Sequence, residues 1–296
     1  MIRTSAMLAA IAFACPAMAD TGIVNGLPPY TEAVLPIEGA LYAVAIGPGG
    51  PGEEFGLYET NGGLYRLDPE GGYSQVELSD GLGLRNPTGM VQQNGQIVLV
   101  DGNQVVSVSP LGDVNWRRSL DGEGVFFYDV EALNDEALIV SDFGRGKFVS
   151  IQSQSGEMNP YLDQVEVSGL ARFEISGEGI YAISWGADDA WNSAVYQVTA
   201  ANGAEEAKLL ADGFGNLESI ELVDGHIVVG GYRGHENFQD AKLFQLDAEG
   251  DVSALSVGAE TKGVSDIFFD GGSVWINYFY DASYEKIAVK SLLSAR

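Results

Sequence analysis

A short apolar run, a Gly or polar turn, a second apolar run, another turn and a third run recur along the chain every ~40 to 48 residues. Pro87-Thr88-Gly89-Met90, the turn Asn94-Gly95 and the run Ile97-Val98-Leu99-Val100-Asp101 stand in phase with Tyr128-Asp129-Val130 and Ala137-Leu138-Ile139-Val140-Ser141-Asp142. Further copies enter at Ser168-Gly169-Leu170 with Ile180-Tyr181-Ala182-Ile183-Ser184, at Asn216-Leu217-Glu218 with Ile227-Val228-Val229, and at Gly263-Val264-Ser265 with Ser273-Val274-Trp275-Ile276-Asn277. An earlier copy read as starting at Glu38-Gly39 makes six. Each unit ends in alternating strands such as Lys242-Leu243-Phe244-Gln245-Leu246, and no stretch holds a helical period over three turns. The pattern predicts an all-β chain of six units of four short antiparallel strands, a six-bladed β-propeller, with a β-sandwich pair as the competing architecture. The sixth unit has room for only three strands, while Gly22 to Leu35 precede the first unit; this N-terminal segment is expected to supply the missing outer strand and remove an exposed edge.

The first 19 residues do not belong to this pattern. Arg3 makes a positive start, Ala6 to Ala14 an apolar stretch too short to span a bilayer, and Ala17-Met18-Ala19 a small-residue cleavage site before Asp20. They are read as a signal peptide, which leaves residues 20–296 as one propeller domain in the periplasm or outside the cell. Lipid anchoring at Cys15 is the alternative, with Phe13 and Pro16 as poor flanks. Cleavage removes the one cysteine, so neither a disulfide nor a thiolate chemistry is expected.

Charge narrows the partners. With 42 acidic against 15 basic residues and a net charge of −27, the chain repels phosphate backbones and anionic lipid, so nucleic-acid binding and membrane insertion are not expected. A monomer handling a small-molecule substrate or ligand is the expectation; the same charge also serves plain solubility. There is no Gly-x-Ser-x-Gly elbow, His-Glu-x-x-His, phosphate-cradling Gly-Lys-Ser/Thr loop or Rossmann Gly-x-Gly-x-x-Gly.

In an up-and-down blade the inner-strand starts and the loops joining second to third strands share one mouth. The pattern puts Glu38, Asn86, Asp129, Asn216, Glu218 and Asp266 at these starts, an oxygen-rich set suited to a hard divalent cation such as Ca²⁺, with Zn²⁺ or Mn²⁺ as alternatives. The same residue types also satisfy turn amides at strand entries. Glu38, Asp129, Asn216, Glu218 and Asp266 are the metal candidates, and Glu218 and His235 the catalytic ones; His235 pairing with Glu236 in a solvated loop is the plainer account. The loops carry Trp185, Trp191, Arg233 and Tyr280, which with Arg145 form the candidate substrate-binding set, although Arg145 also suits pairing with surplus acids.

Glu38-Gly39-Ala40-Leu41 followed by Gly56-Leu57-Tyr58 through Arg66-Leu67-Asp68-Pro69 resembles the gluconolactonase/regucalcin-like family of six-bladed propellers, and the later units look like NHL-type repeats. The resemblance implies an axial Ca²⁺ or Zn²⁺ and a carboxylate that opens lactones or cleaves esters. Glu38 matches the family glutamate and Asp129 the aspartate of an Asn-Asp pair whose Asn is here Tyr128. Ser168-Gly169-Leu170 stands for Asn-Gly-Leu, and Gly215-Asn216-Leu217-Glu218 for Pro-Asp-Gly. Two functions therefore compete: a metal-dependent hydrolase of a lactone or small ester, in which the ion polarises the carbonyl while a carboxylate or His235 activates water, and a non-catalytic ligand- or protein-binding propeller.

Overall fold

In the computed structural model, which describes residues 22–46, 62–68, 72–185, 192–201, 204–232, 241–247, 249–256 and 263–294, the apolar runs form six four-stranded antiparallel sheets around one axis. The inner strands are Thr31–Ile37, Pro87–Gln93, Phe127–Asn134, Leu170–Ser176, Asn216–Val223 and Val264–Phe269, and they define blades 1 to 6. Second strands such as Gln96–Asp101 and Ala137–Asp142 are buried at every position after the first. They are covered on both faces by neighbouring blades, which is why they read as unbroken apolar runs and not as an alternation. Val98 and Val100 of blade 2 pack with Leu138 and Val140 of blade 3 in one such interblade core.

The ring closes as the strand count predicts. Gly22–Asn25 pairs antiparallel with Ser283–Ala288, Ile23 opposite Glu285, and becomes the outer strand of blade 6. Only this part of the N-terminal segment does so; residues from Thr31 onward already form the inner strand of blade 1. The chain also ends in a short helix, Val289–Ser294, whose Val289 and Leu292 are buried against blade 6, an element the sequence pattern did not signal. Among the described residues no helix is long and apolar enough to cross a membrane.

The phase of blade 1 departs from the sequence reading. Glu38 and Gly39 take left-handed φ values of 50° and 83°, as do Asn94-Gly95 (52° and 74°) and Asp224-Gly225 (48° and 82°). All three are two-residue hairpins from the inner to the second strand, the geometry that needs positive φ at both central positions. Glu38-Gly39 therefore ends the first inner strand where it was read as beginning it.

Candidate functional site

Each inner strand breaks register near its start, between Thr31 and Ala33, Pro87 and Gly89, Phe127 and Asp129, Leu170 and Phe173, Leu217 and Ser219, and Val264 and Asp266. Such slips re-aim the side chains they release. They fall on Glu32, Thr88, Tyr128, Ala171 with Arg172, Glu218 and Ser265, so a local irregularity repeated six times places these residues around the axis. Hydroxyls then tie blade to blade: Thr88 Oγ1 donates to the Tyr128 carbonyl at 2.6 Å and Ser265 Oγ to the Thr31 carbonyl at 3.1 Å. Gly89 permits the approach of blade 2 to blade 3, since a Cβ there would lie 2.9 Å from the Asp129 Cα.

Arg172 occupies the centre and is 4% exposed. Its Nη2 donates to the carbonyls of Glu32 at 3.0 Å and Thr88 at 2.9 Å. Three carboxylates surround the guanidinium: Asp129 at 3.4 Å, Asp266 at 3.6 Å and Glu32 at 3.8 Å. Its Nε has no hydrogen-bond partner among the described residues. Asp129 and Asp266 also brace the ring, accepting from the backbone N–H of Phe173 at 3.2 Å and of Val34 at 3.1 Å. Burial is the largest influence on these acids. It raises Asp129, lifts Asp266 to about 6 and lifts Glu32 to about 8, while Arg172 pulls all three back.

Above this cluster Glu218 is fully engaged. Tyr128 donates its hydroxyl to Oε2 at 2.8 Å, and Tyr232 and the Asn216 amide donate to Oε1 at 2.9 and 2.6 Å. Burial raises its carboxyl to about 7 against the lowering effect of these donors and Arg172. The Asn216 Oδ1, also buried, has no partner among the described residues. Below Arg172, Glu131, Glu174 and Glu221 join Asp129 and Asp266 around a cavity of about 240 Å³. Desolvation raises all three, with neighbouring acids adding to the shift, and Glu221 reaches about 8.

The mouth on the Glu218 side opens into a cleft of about 320 Å³ lined by Glu32, Ile46, Asn86, Thr88, Phe126, Tyr128, Phe143 and Trp185. Trp185 meets Phe143 at 4.9 Å and Tyr128 at 5.4 Å between ring centroids, both edge to face, and its Nε1 donates to the Leu217 carbonyl at 2.8 Å. That bond holds the indole between blades 4 and 5. Tyr280 stands edge to face against Tyr232, 6.0 Å between ring centroids, on the same mouth.

The sequence candidates divide accordingly. Asp129, Asn216, Glu218 and Asp266 come together at the axis, and Trp185 and Tyr280 lie at the mouth. Glu38 does not join them: it is exposed in its hairpin at the opposite end of the strand that carries Glu32. Arg145 is held by the buried Asp142 and borders a different cavity beside Lys147, Phe148 and Met158. His235, Trp191 and Arg233 lie outside the described residues. Sequence reasoning missed Glu32 and Arg172; the positive-φ pair Glu38-Gly39, aligned with Asn94-Gly95, was the signal for Glu32.

The residues present do not fit an axial divalent cation. Among the described residues no group of three or more His, Cys, Asp or Glu side chains is arranged to hold a metal ion. The oxygens that converge from blades 1, 2, 3 and 6 already enclose a guanidinium, and Glu218 is saturated by neutral donors. A divalent ion ligated by this whole set would have to displace the guanidinium that already pairs with it.

No protein-family model and no curated protein matches the chain. Solved propellers do, at low identity. A virginiamycin B lyase from Staphylococcus aureus, solved with quinupristin, shares 12% identity over 91% of this chain and 99% of its own, with a TM-score of 0.57. A 6-phosphogluconolactonase-like protein from Bacteroides fragilis shares 10% over 83% of this chain and 76% of its own, at 0.51. The extracellular domain of a one-component system from B. thetaiotaomicron shares 12% over 88% of this chain, which spans 34% of that chain, at 0.55. At these identities the likeness is one of fold.

Proposed function

We propose that the protein is a ligand-binding propeller that takes a small organic molecule into the aromatic cleft at its Glu218-side mouth. The observation that carries this reading is the enclosure of Phe126, Tyr128, Phe143 and Trp185 above a ring of buried polar groups. Aromatic walls supply most of the contact area in small-molecule sites, and a few polar groups fix orientation. The test is a thermal-shift and fluorescence screen of small organic molecules with wild type and Trp185→Ala. Hits lost in Trp185→Ala support the cleft, whereas hits that bind both proteins equally place the ligand elsewhere.

A second reading is a hydrolase of a lactone or small ester, the activity suggested by the gluconolactonase/regucalcin-like resemblance and in keeping with a lactonase-like structural neighbour. Glu218 favours it, because a carboxyl near neutrality, bonded to two phenols at the mouth, suits general acid–base catalysis. Turnover of a lactone and ester panel that survives chelation and disappears in Glu218→Gln would support this reading. Residues 1–19 are read as an export signal, in keeping with the extracellular neighbour. The mass of the exported product, starting at Asp20, tests this, and gel filtration tests the monomer.

A further inference from the structure

Several features of the cleft select among ligands by charge. No lysine or arginine is among its lining residues within the described part of the chain. The hydroxyl protons of Thr88 and Tyr128 are already donated, to the Tyr128 carbonyl and to Glu218. Four aromatic residues, Asn86 and Glu32 remain in the lining, and of the four rings Tyr128 already has the Arg172 guanidinium 5.8 Å from its centroid. Behind them the Asn216 Oδ1 is a buried acceptor with no donor among the described residues. A carboxylate or phosphate ligand would meet acceptors and the negative faces of aromatic rings, both unfavourable.

We propose that the aromatic cleft is a site for an organic cation, an ammonium group carried on a flat apolar body. The proposal rests on the ligand-binding reading above and names the class of ligand. An ammonium is attracted to the faces of Trp and Tyr and more strongly where water is excluded. It would approach Glu32, whose 3.8 Å separation from Arg172 is the longest of the three carboxylate contacts. Asp129 and Asp266 hold the other Arg172 nitrogen at 3.4 and 3.6 Å and offset part of its repulsion of a cation on the cleft side of Glu32. The net charge of −27 adds a field that draws cations toward the whole molecule.

Burial leaves Glu32 protonated over much of the neutral range, with Arg172 from blade 4, Glu218 from blade 5 and Asp266 from blade 6 facing it. A bound cation favours the ionised carboxyl. Its affinity accordingly rises with pH through about 8, the value to which Glu32 is lifted.

The test uses three probes with one body: 2-phenylethylamine, 2-phenylethanol and phenylacetate, titrated by calorimetry into the full chain at pH 7.5. The amine is expected to bind on the order of tenfold more tightly than the alcohol, as one desolvated cation–π and carboxylate contact allows, and phenylacetate not to bind. Glu32→Gln, with its melting temperature checked, should bring amine and alcohol together, and Trp185→Ala should weaken both. Equal binding of amine and alcohol by wild type overturns the cation inference and leaves the aromatic cleft standing. No binding of any probe at millimolar concentration overturns both. A preference for the amine that persists in Glu32→Gln and in Trp185→Ala places the cation elsewhere and also overturns the inference.

Discussion

Arg172→Met removes the positive charge from the axis while keeping an unbranched side chain of similar reach. Asp129, Asp266 and Glu32 then face one another without a cation, and the Glu32 and Thr88 carbonyls lose the donor now 3.0 and 2.9 Å away. Removing one partner of a buried ion pair costs ~3–5 kcal/mol, because the remaining charges cannot be solvated. The carboxyls have an escape, which is to take up protons. At pH 8 that uptake must be drawn from a dilute proton pool. At pH 5 Glu32, lifted to about 8, is already neutral and Asp266, at about 6, largely so. The acid-side loss should therefore shrink toward that of the two stranded carbonyls, ~1–3 kcal/mol. For a chain of this size the loss at pH 8 corresponds to a fall in Tm on the order of 10 °C. Thermal and urea unfolding of both proteins at pH 5 and pH 8 measures it. An unchanged Tm at pH 8, or an equal loss at the two pH values, would refute the role assigned to Arg172.

In the wild type, Asp266, Glu218, Glu32 and Glu221 have carboxyls raised to about 6, 7, 8 and 8, so the folded chain holds protons that the unfolded chain releases. The stability they add is fully present below the ordinary carboxylate range and is lost as pH rises through about 6 to 8; urea midpoints should fall between pH 5 and pH 8, and a rise over that window would contradict the assignment. Chelator should leave Tm within experimental error, since Arg172 supplies the axial charge; a fall on chelation that Ca²⁺ reverses would revive the axial metal. Glu38→Gln, at an exposed hairpin, should shift stability by no more than ~0.5 kcal/mol, whereas Gly89→Ala should lower Tm clearly, because its Cβ would lie 2.9 Å from the Asp129 Cα. An inert Gly89→Ala would show that blades 2 and 3 can separate at no cost.

Much of the fold was legible because propeller blades repeat the same burial. Covered second strands leave an apolar run in every unit, and hairpins that demand positive φ leave pairs such as Asn94-Gly95 and Asp224-Gly225. Counting strands even exposed the shortfall that Gly22–Asn25 fills. One phase error, taking Glu38-Gly39 for a strand start, moved a candidate ligand to the opposite end of its strand and hid Glu32. The gathering of Asp129, Asn216, Glu218 and Asp266 followed from the repeat, because blades 3, 5 and 6 were read in phase. Arg172 could not be found this way. Its sequence neighbours carry no mark of it, and its partners are 140 residues away at Glu32, 84 at Thr88 and 43 at Asp129. The sequence determined the strands, their order and the mouth to which their starts point, because these depend on local turn geometry and on the period of burial. Tertiary structure decided which charge occupies the axis, because that depends on closing the ring, which brings residues from five blades to one point where a lone buried charge must find its counter-ions.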